Sequence, residues 1–492
     1  MKPFVLCFSL MTACAWLRAE EVPIDTFIES KLKEYQVPGA VVVIVEEGVA
    51  PRVHCFGVTD LSTGQKVNAD TRFQLASVTK TFTGVLFGVA MDEKEIKLEQ
   101  PVKEVFPQFQ LHDAYATKWA TEPDLLSHRS GLPAFEGGLL EMLGFNAHEI
   151  LQKIPDIKPK TSFRDHSAYS NIGYFLAGEG TARAARLPWF TLVKTRILTP
   201  LFMNDTGLAA DIMTTSANVA KPYAKTPEGT IVPTEPNYQP VLQPAGALAS
   251  TGNDMGKYLQ MWLDEGRGPG GEVISRKSHE ELLTPLIAED PGFAELPPIS
   301  KRSGFDYTNG GWGEYHFQNH RVFEKGGALE GYRTVVVLVP DKKWGVAILS
   351  NRNLSVFPEA VRAELLERLL GRSGEDLQKL IQKRSLKIDK MILPPVPPAG
   401  SVATKLPLSA FVGEYDNAHY GHWKVVEKDG ALFFEAGPAK LVGQLTPWAG
   451  DDFLVTWPLA NAGKAIVEFQ AKDGRVNGFT FDEKHEFRCG SH

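Results

Sequence analysis

The stretch Leu393-Pro394-Pro395-Val396-Pro397-Pro398-Ala399-Gly400 divides the chain. Each proline fixes φ and removes a backbone donor, so the run cannot continue a helix or lie inside a sheet. It reads as a stiff, extended connector, with residues 386–405 as the linker. On its N-terminal side, 20–385 mixes helical periodicity with β-branched runs, which predicts an α+β body. On its C-terminal side, 406–492 predicts a small all-β, barrel-like body. Five strands are read there (423–427, 431–435, 453–457, 465–469 and 478–481), with turns such as Lys428-Asp429-Gly430 and Lys472-Asp473-Gly474.

The N-terminus has the pattern of an export signal over residues 1–19. Lys2 precedes the apolar run Phe4 to Ala15, and Ala13-Cys14-Ala15 and Leu17-Arg18-Ala19 both offer small-residue cleavage sites. The run is too short to span a bilayer, and the residues before Cys14 fit a lipidation site poorly. The expectation is a periplasmic or secreted protein without a membrane span. A net charge of -7 with no basic run argues against nucleic-acid or anionic-membrane binding. Outside the signal only Cys55 and Cys489 remain. Outside the cytoplasm they could pair, but their distance in sequence and different domains favour two unpaired thiols, and no metal-ligand spacing of Cys or His occurs.

Residues 20–36 read as an amphipathic helix, and 40–46 as a buried strand returning through 53–58. Ser77-Val78-Thr79-Lys80 follows. On a helix, residues three apart share a face, so an amine would stand beside a hydroxyl. A serine needs such a neighbour to take its proton before it can act as a nucleophile. Gly84 and Gly88 are small positions for close packing. Further along, His128 in Leu125 to Pro133 is read as a hydrogen-bonding anchor rather than a general base. Tyr169-Ser170-Asn171 stands at the head of a helix. It would present a phenol and an amide on one side, or simply cap the helix through Ser170 or Asn171. Ser250 or Thr251 caps a helix over 253–262. Lys325-Gly326-Gly327 is placed at the end of an edge-type strand, with glycines that allow close backbone approach. Each motif alone also has an ordinary structural explanation.

In this order, Ser77-x-x-Lys80, Tyr169-Ser170-Asn171 and Lys325-Gly326-Gly327 resemble the three signatures of the serine β-lactamase and penicillin-binding-protein superfamily. The tyrosine form resembles its class C β-lactamase-like S12 branch. Supporting similarity lies in Leu125 to Pro133, Pro200-Leu201-Phe202-Met203, Gly246 to Asp254, Gly331-Tyr332 and Val339 to Asn351. The resemblance implies an antiparallel sheet flanked by helices, with a helical subdomain across the active site. The C-terminal part resembles the lipocalin-like domain appended to some S12 peptidases. It would cover the cleft, or serve as a packing or homo-oligomerisation module.

By the same resemblance, Ser77 is the acylated nucleophile. Lys80 and Tyr169 share the general-base task, with Tyr169 protonating the leaving group. Asn171 orients Lys80 and the substrate amide, and Lys325 keeps the Tyr169 pKa low. The backbone N–H groups of Ser77 and Ala328 form the oxyanion hole, with Gly326 and Gly327 beside the substrate. Neither metal nor cofactor is implied. Gly326 departs from the family, which carries Thr or Ser there to hold a substrate carboxylate. The reading is therefore a serine hydrolase of an ester or amide, including short peptides with a D-residue. A true β-lactamase or D-Ala-D-Ala carboxypeptidase is the first alternative. A non-catalytic cell-wall sensor or binding protein is the second.

Overall fold

The computed structural model describes residues 22–289, 306–372, 374–393, 396–398, 404, 406–458, 464–472, 474–481 and 485–489. The expected signal over 1–19 and half of the Pro-rich run 393–400 lie outside them.

The N-terminal body is built on an eight-stranded antiparallel sheet. Its strands are β1 (Gly39–Glu46), β2 (Val49–Gly57), β3 (Pro285–Ala288), β4 (Asp306–Thr308), β5 (Gly313–Phe317), β6 (His320–Leu329), β7 (Tyr332–Val339) and β8 (Trp344–Ser350), in the order β3-β4-β5-β6-β7-β8-β1-β2. Strand β1 is buried on both faces, which is why it reads as a continuous apolar run rather than an alternation. Val42 pairs with Ile348, and Val335 pairs with the same residue on the other side of β8.

One face of the sheet packs on α1 (Ile24–Glu34) and on α5 (Phe357–Leu370), with Ala40, Val42, Ile44, Val335 and Val337 in that core. The other face, with Val41, Val43 and Val336, packs on α2 (Thr79–Asp92) and α4 (Gly252–Leu263). Thr251 caps α4, accepting from Asp254 N. The glycines expected to allow close approach do so. A Cβ on Gly84 would strike the Gly310 carbonyl, and one on Gly88 would reach Leu282 at 2.9 Å.

Helix α3 (Asn171–Ala185) and short helices between 102 and 156 form the subdomain on the far side of α2. Helix α6 (Leu377–Ile392) extends into the stretch expected as linker. Among the described residues no helix is long and apolar enough to cross a membrane.

The C-terminal body is a closed antiparallel barrel of strands β9 (Gly413–Asn417), β10 (Gly421–Lys428), β11 (Ala431–Ala436), β12 (Leu441–Ala449), β13 (Asp452–Thr456), β14 (Lys464–Lys472), β15 (Arg475–Phe481) and β16 (His485–Cys489). Strands β9, β12 and β16 were not among the five expected. They are short or carry Gly443 and Pro447, so their alternation is weak in sequence. Gly443 is needed because a Cβ there would enter the Trp457 ring, 2.6 Å away. The lumen is filled by Trp423, Phe434, Phe479 and Phe487, all buried. The free, exposed cysteines Cys55 and Cys489 lie in different bodies.

Candidate active site

Ser77 sits in a single 3-10 turn, Ala76–Val78, that runs directly into α2. This turn carries Ser77 and Lys80 into the cleft between the sheet and the helical subdomain. Lys80 is fully buried. Its Nζ lies 3.2 Å from Ser77 Oγ, 2.8 Å from Asn171 Oδ1 and 2.6 Å from the Ala245 carbonyl oxygen. Burial, and then the like charge of Lys325, push the Lys80 pKa well below the usual lysine range. A neutral amine has two N–H donors and one lone pair. The two carbonyl oxygens take the donors, which leaves the lone pair facing Ser77 O–H.

Tyr169 and Asn171 enter from the start of α3. Ser170 caps that helix, accepting from Gly173 N at 3.0 Å. Ser170 is thus the cap, and Tyr169 and Asn171 on either side of it both reach the cleft. His128 is the anchor expected. Its Nδ1 accepts from Ser170 N at 3.0 Å, and its carbonyl accepts from Ala168 N. Burial and the two lysines hold His128 well below its usual pKa, so the ring is neutral.

The Tyr169 phenol is hydrogen-bonded to Ser77, yet burial raises its pKa to about 12. This corrects the expectation that Lys325 keeps that pKa low. The named charge lowering it is Arg333, and desolvation outweighs both that charge and the hydrogen bond. At neutral pH Tyr169 is therefore a phenol that can donate, not a phenolate base. Lys325 Nζ does lie over the Tyr169 ring, 5.1 Å from its centre, and Lys80 Nζ lies at the same distance. Burial brings Lys325 itself down to about 7.

Lys325 is in the middle of β6, not at the end of an edge strand, and β6 is interior to the sheet. The expectation had a physical kernel. Pairing of β6 with β5 stops at Glu324–Gly313, so among the described pairings Lys325 to Leu329 has a partner on one flank only. Gly327 brings that open segment against the Ser77 turn. A Cβ there would collide with the Leu75 carbonyl oxygen and Thr334 Oγ1 and come within 3.1 Å of Ala76. Gly326 faces the other way, where a Cβ would meet only the Arg333 guanidinium, at 3.5 Å or more. Ala328 follows on the same segment. The structure thus brings Ser77, Lys80, Tyr169, Asn171, Lys325 and the Gly326–Ala328 segment to one cleft.

Sequence reasoning missed the Ala245 carbonyl, which has no side-chain signature. It also missed Tyr174 and Tyr307, whose rings flank His128 at 5.2 and 4.9 Å.

The beta-lactamase family profile matches residues 24–370, which includes every one of these residues. The chain belongs to the beta-lactamase family. A second match, to a domain of unknown function (DUF3471), covers 397–490. Among relatives of this family, Beta-lactamase-like protein 2 of Dictyostelium discoideum is 27% identical over 386 residues, covering 76% of this chain and 66% of that protein. Unguisins hydrolase ungD of Aspergillus violaceofuscus is 23% identical over 443 residues, covering 83% and 77%. The fold is similar to that of an octameric penicillin-binding protein homologue from Pyrococcus abyssi. The TM-score is 0.63 at 23% identity, covering 94% of this chain and 98% of that one. A class C beta-lactamase aligns with TM-score 0.57 at 19% identity, over 72% and 96%. Beta-lactamase family members are serine hydrolases.

Proposed function

We propose that this protein is an exported serine hydrolase that cleaves an ester or amide through an acyl-enzyme on Ser77. The observation that carries the reading is the Lys80 amine, buried, depressed in pKa and directed at Ser77 Oγ with its other valences occupied. Lys80 takes the Ser77 proton as Oγ attacks the carbonyl carbon. The resulting oxyanion is received by the N–H groups of Ser77 and Ala328. Tyr169, a neutral phenol, gives its proton to the leaving alcohol or amine and regains one from Lys80. Water then attacks the ester, reversing the proton path, and frees Ser77. Asn171 fixes the Lys80 amine, and Lys325 lends partial positive charge beside Tyr169. Export is supported by the N-terminal pattern in the sequence.

Gly326 stands where the family carries a Thr or Ser, so the hydroxyl that holds a substrate carboxylate there is missing. This favours ester, amide or D-amino-acid peptide substrates over penicillins and peptide C-terminal carboxylates. A relative named for hydrolysis of unguisins is consistent with a non-β-lactam substrate. The test is initial rates on a chromogenic short-chain ester, a D-alanyl anilide and a chromogenic cephalosporin, with wild type and Ser77→Ala side by side. Ester or anilide turnover that falls at least about a thousandfold in the variant, with little cephalosporin turnover, is the expected result. Rapid Ser77-dependent cephalosporin turnover would instead identify a β-lactamase. No Ser77-dependent rate on any of the three would overturn the reading.

A further inference from the structure

The barrel reaches the rim of the cleft through one carboxylate. Glu136 follows Phe135 in the loop after Leu125 to Pro133, and its side chain is only 14% exposed. Barrel groups surround one of its oxygens. Tyr420 O–H donates to Oε1 at 2.9 Å, His485 Nε2 lies 3.3 Å away and His419 Nε2 3.9 Å away. Burial would push this carboxyl up. Hydrogen bonding and charge from His485, with Tyr420 and His419, bring it down to about 2. Lys153, the other charged group facing His419, is engaged elsewhere, donating to the Ala418 carbonyl at 3.0 Å.

The residue next to this clamp is strained. Phe135 has φ +59, a left-handed conformation that is unfavourable for a bulky residue and persists only where its surroundings impose it. Two restraints are present. Phe135 N donates to the Tyr169 carbonyl at 2.8 Å, and Glu136 is pinned by the barrel. The Phe135 ring lies 5.4 Å from the Tyr169 ring. Displacement of this turn therefore pulls on the backbone of the residue that hydrogen-bonds Ser77. The barrel stays docked by other contacts as well. Ala439 N donates to the Leu143 carbonyl at 2.8 Å, and Phe145 packs where Gly421 leaves room.

We propose that the C-terminal barrel, through Tyr420 and His485 on Glu136, holds the Phe135 turn against Tyr169, so that Glu136 is a positioning residue of the hydrolase site. The kinetic consequence rests on the serine hydrolase reading above, whereas the mechanical coupling does not. The test compares full-length wild type, Glu136→Gln, Tyr420→Phe, the double variant and Lys153→Met. Hydrogen–deuterium exchange is followed over 134–142 and 168–172, together with kcat and KM on a Ser77-dependent ester. Glu136→Gln and Tyr420→Phe should both speed exchange in both segments and lower kcat about tenfold, with KM changed less. The double variant should be no worse than the singles. Lys153→Met, which removes a docking contact unconnected to Phe135, should leave exchange and kcat unchanged. Unchanged exchange in Tyr420→Phe overturns the proposal, as does an equal kcat loss in Lys153→Met. If wild type has no Ser77-dependent turnover, the hydrolase reading fails, and the exchange data still decide the coupling.

Discussion

Two lysines, a phenol and a hydroxyl share a site from which water is largely excluded, and burial decides their charges. Desolvation works against the ammonium forms of Lys80 and Lys325 and against the phenolate of Tyr169. Burial thus favours the neutral amine of Lys80 and the neutral phenol of Tyr169. Activity should therefore rise with pH as Lys80 loses its proton and fall again on acidification. Lys325 lowers the Lys80 pKa by like-charge repulsion, so Lys325→Met should let it rise. The acid limb of kcat/KM against pH then moves to higher pH. An acid limb that stays in place, or moves down, would contradict this electrostatic account.

The two glycines after Lys325 make a paired test at the same scale. Gly327→Ala must push β6 away from Leu75 and Ala76 and should cost about tenfold or more in kcat/KM. Gly326→Ser has room beside Arg333 and should fold with an unchanged melting temperature. The side chains of this site were legible in the sequence because they recur at short, fixed spacings. The Ala245 carbonyl and the elevated Tyr169 pKa were not legible. One is a backbone atom, and the other is a consequence of burial that no local pattern encodes.

At the scale of elements, close packing of α3 on the short helix Glu122–Leu126 buries an acid. Glu122 Oε2 accepts from Thr181 at 2.7 Å, while a Cβ on Gly180 would come within 2.6 Å of Oε1. Burial raises the Glu122 pKa to about 8, so the folded state holds a proton that the unfolded state releases above about pH 4.3. By linkage, this group favours folding less and less as pH rises from that value to about 8. Glu122→Gln keeps the shape and removes the titration. Its melting temperature should exceed that of wild type at pH 8, with the advantage shrinking toward pH 4. A difference independent of pH would contradict the assignment.

The elements themselves were read from sequence where periodicity is strong, as in α1, β1 and α4. Barrel strands β9, β12 and β16 escaped because outward charges, Gly443 and Pro447 blur the alternation. The place of β6 was also misread. A lysine followed by two glycines looks like a strand end, whereas here the glycines serve close approach in mid-strand.

At the scale of the molecule, the proline run marks a division in sequence, yet the two bodies touch at Gly144–Ala439 and at Phe145–Gly421. Phe145 is buried in that junction. Phe145→Ala should cost about 3 kcal/mol and, in calorimetry, separate the unfolding of the barrel from that of the larger body. A single transition shifted as a whole would mean that the junction does not couple them. Nothing in the sequence pairs Glu136 with Tyr420 and His485, because long-range partners in different domains leave no periodic trace.

The proposed hydrolysis passes through an acyl-enzyme on Ser77. The most direct measurement is intact-mass and peptide mass spectrometry of the protein quenched during turnover of a slow ester, with Ser77→Ala and Lys80→Met in parallel. A mass increment equal to the acyl group, on the peptide holding Ser77, should be present in wild type. It should form far more slowly in Lys80→Met and be missing in Ser77→Ala. An increment on another residue, or hydrolysis that continues unchanged in Ser77→Ala, would contradict it.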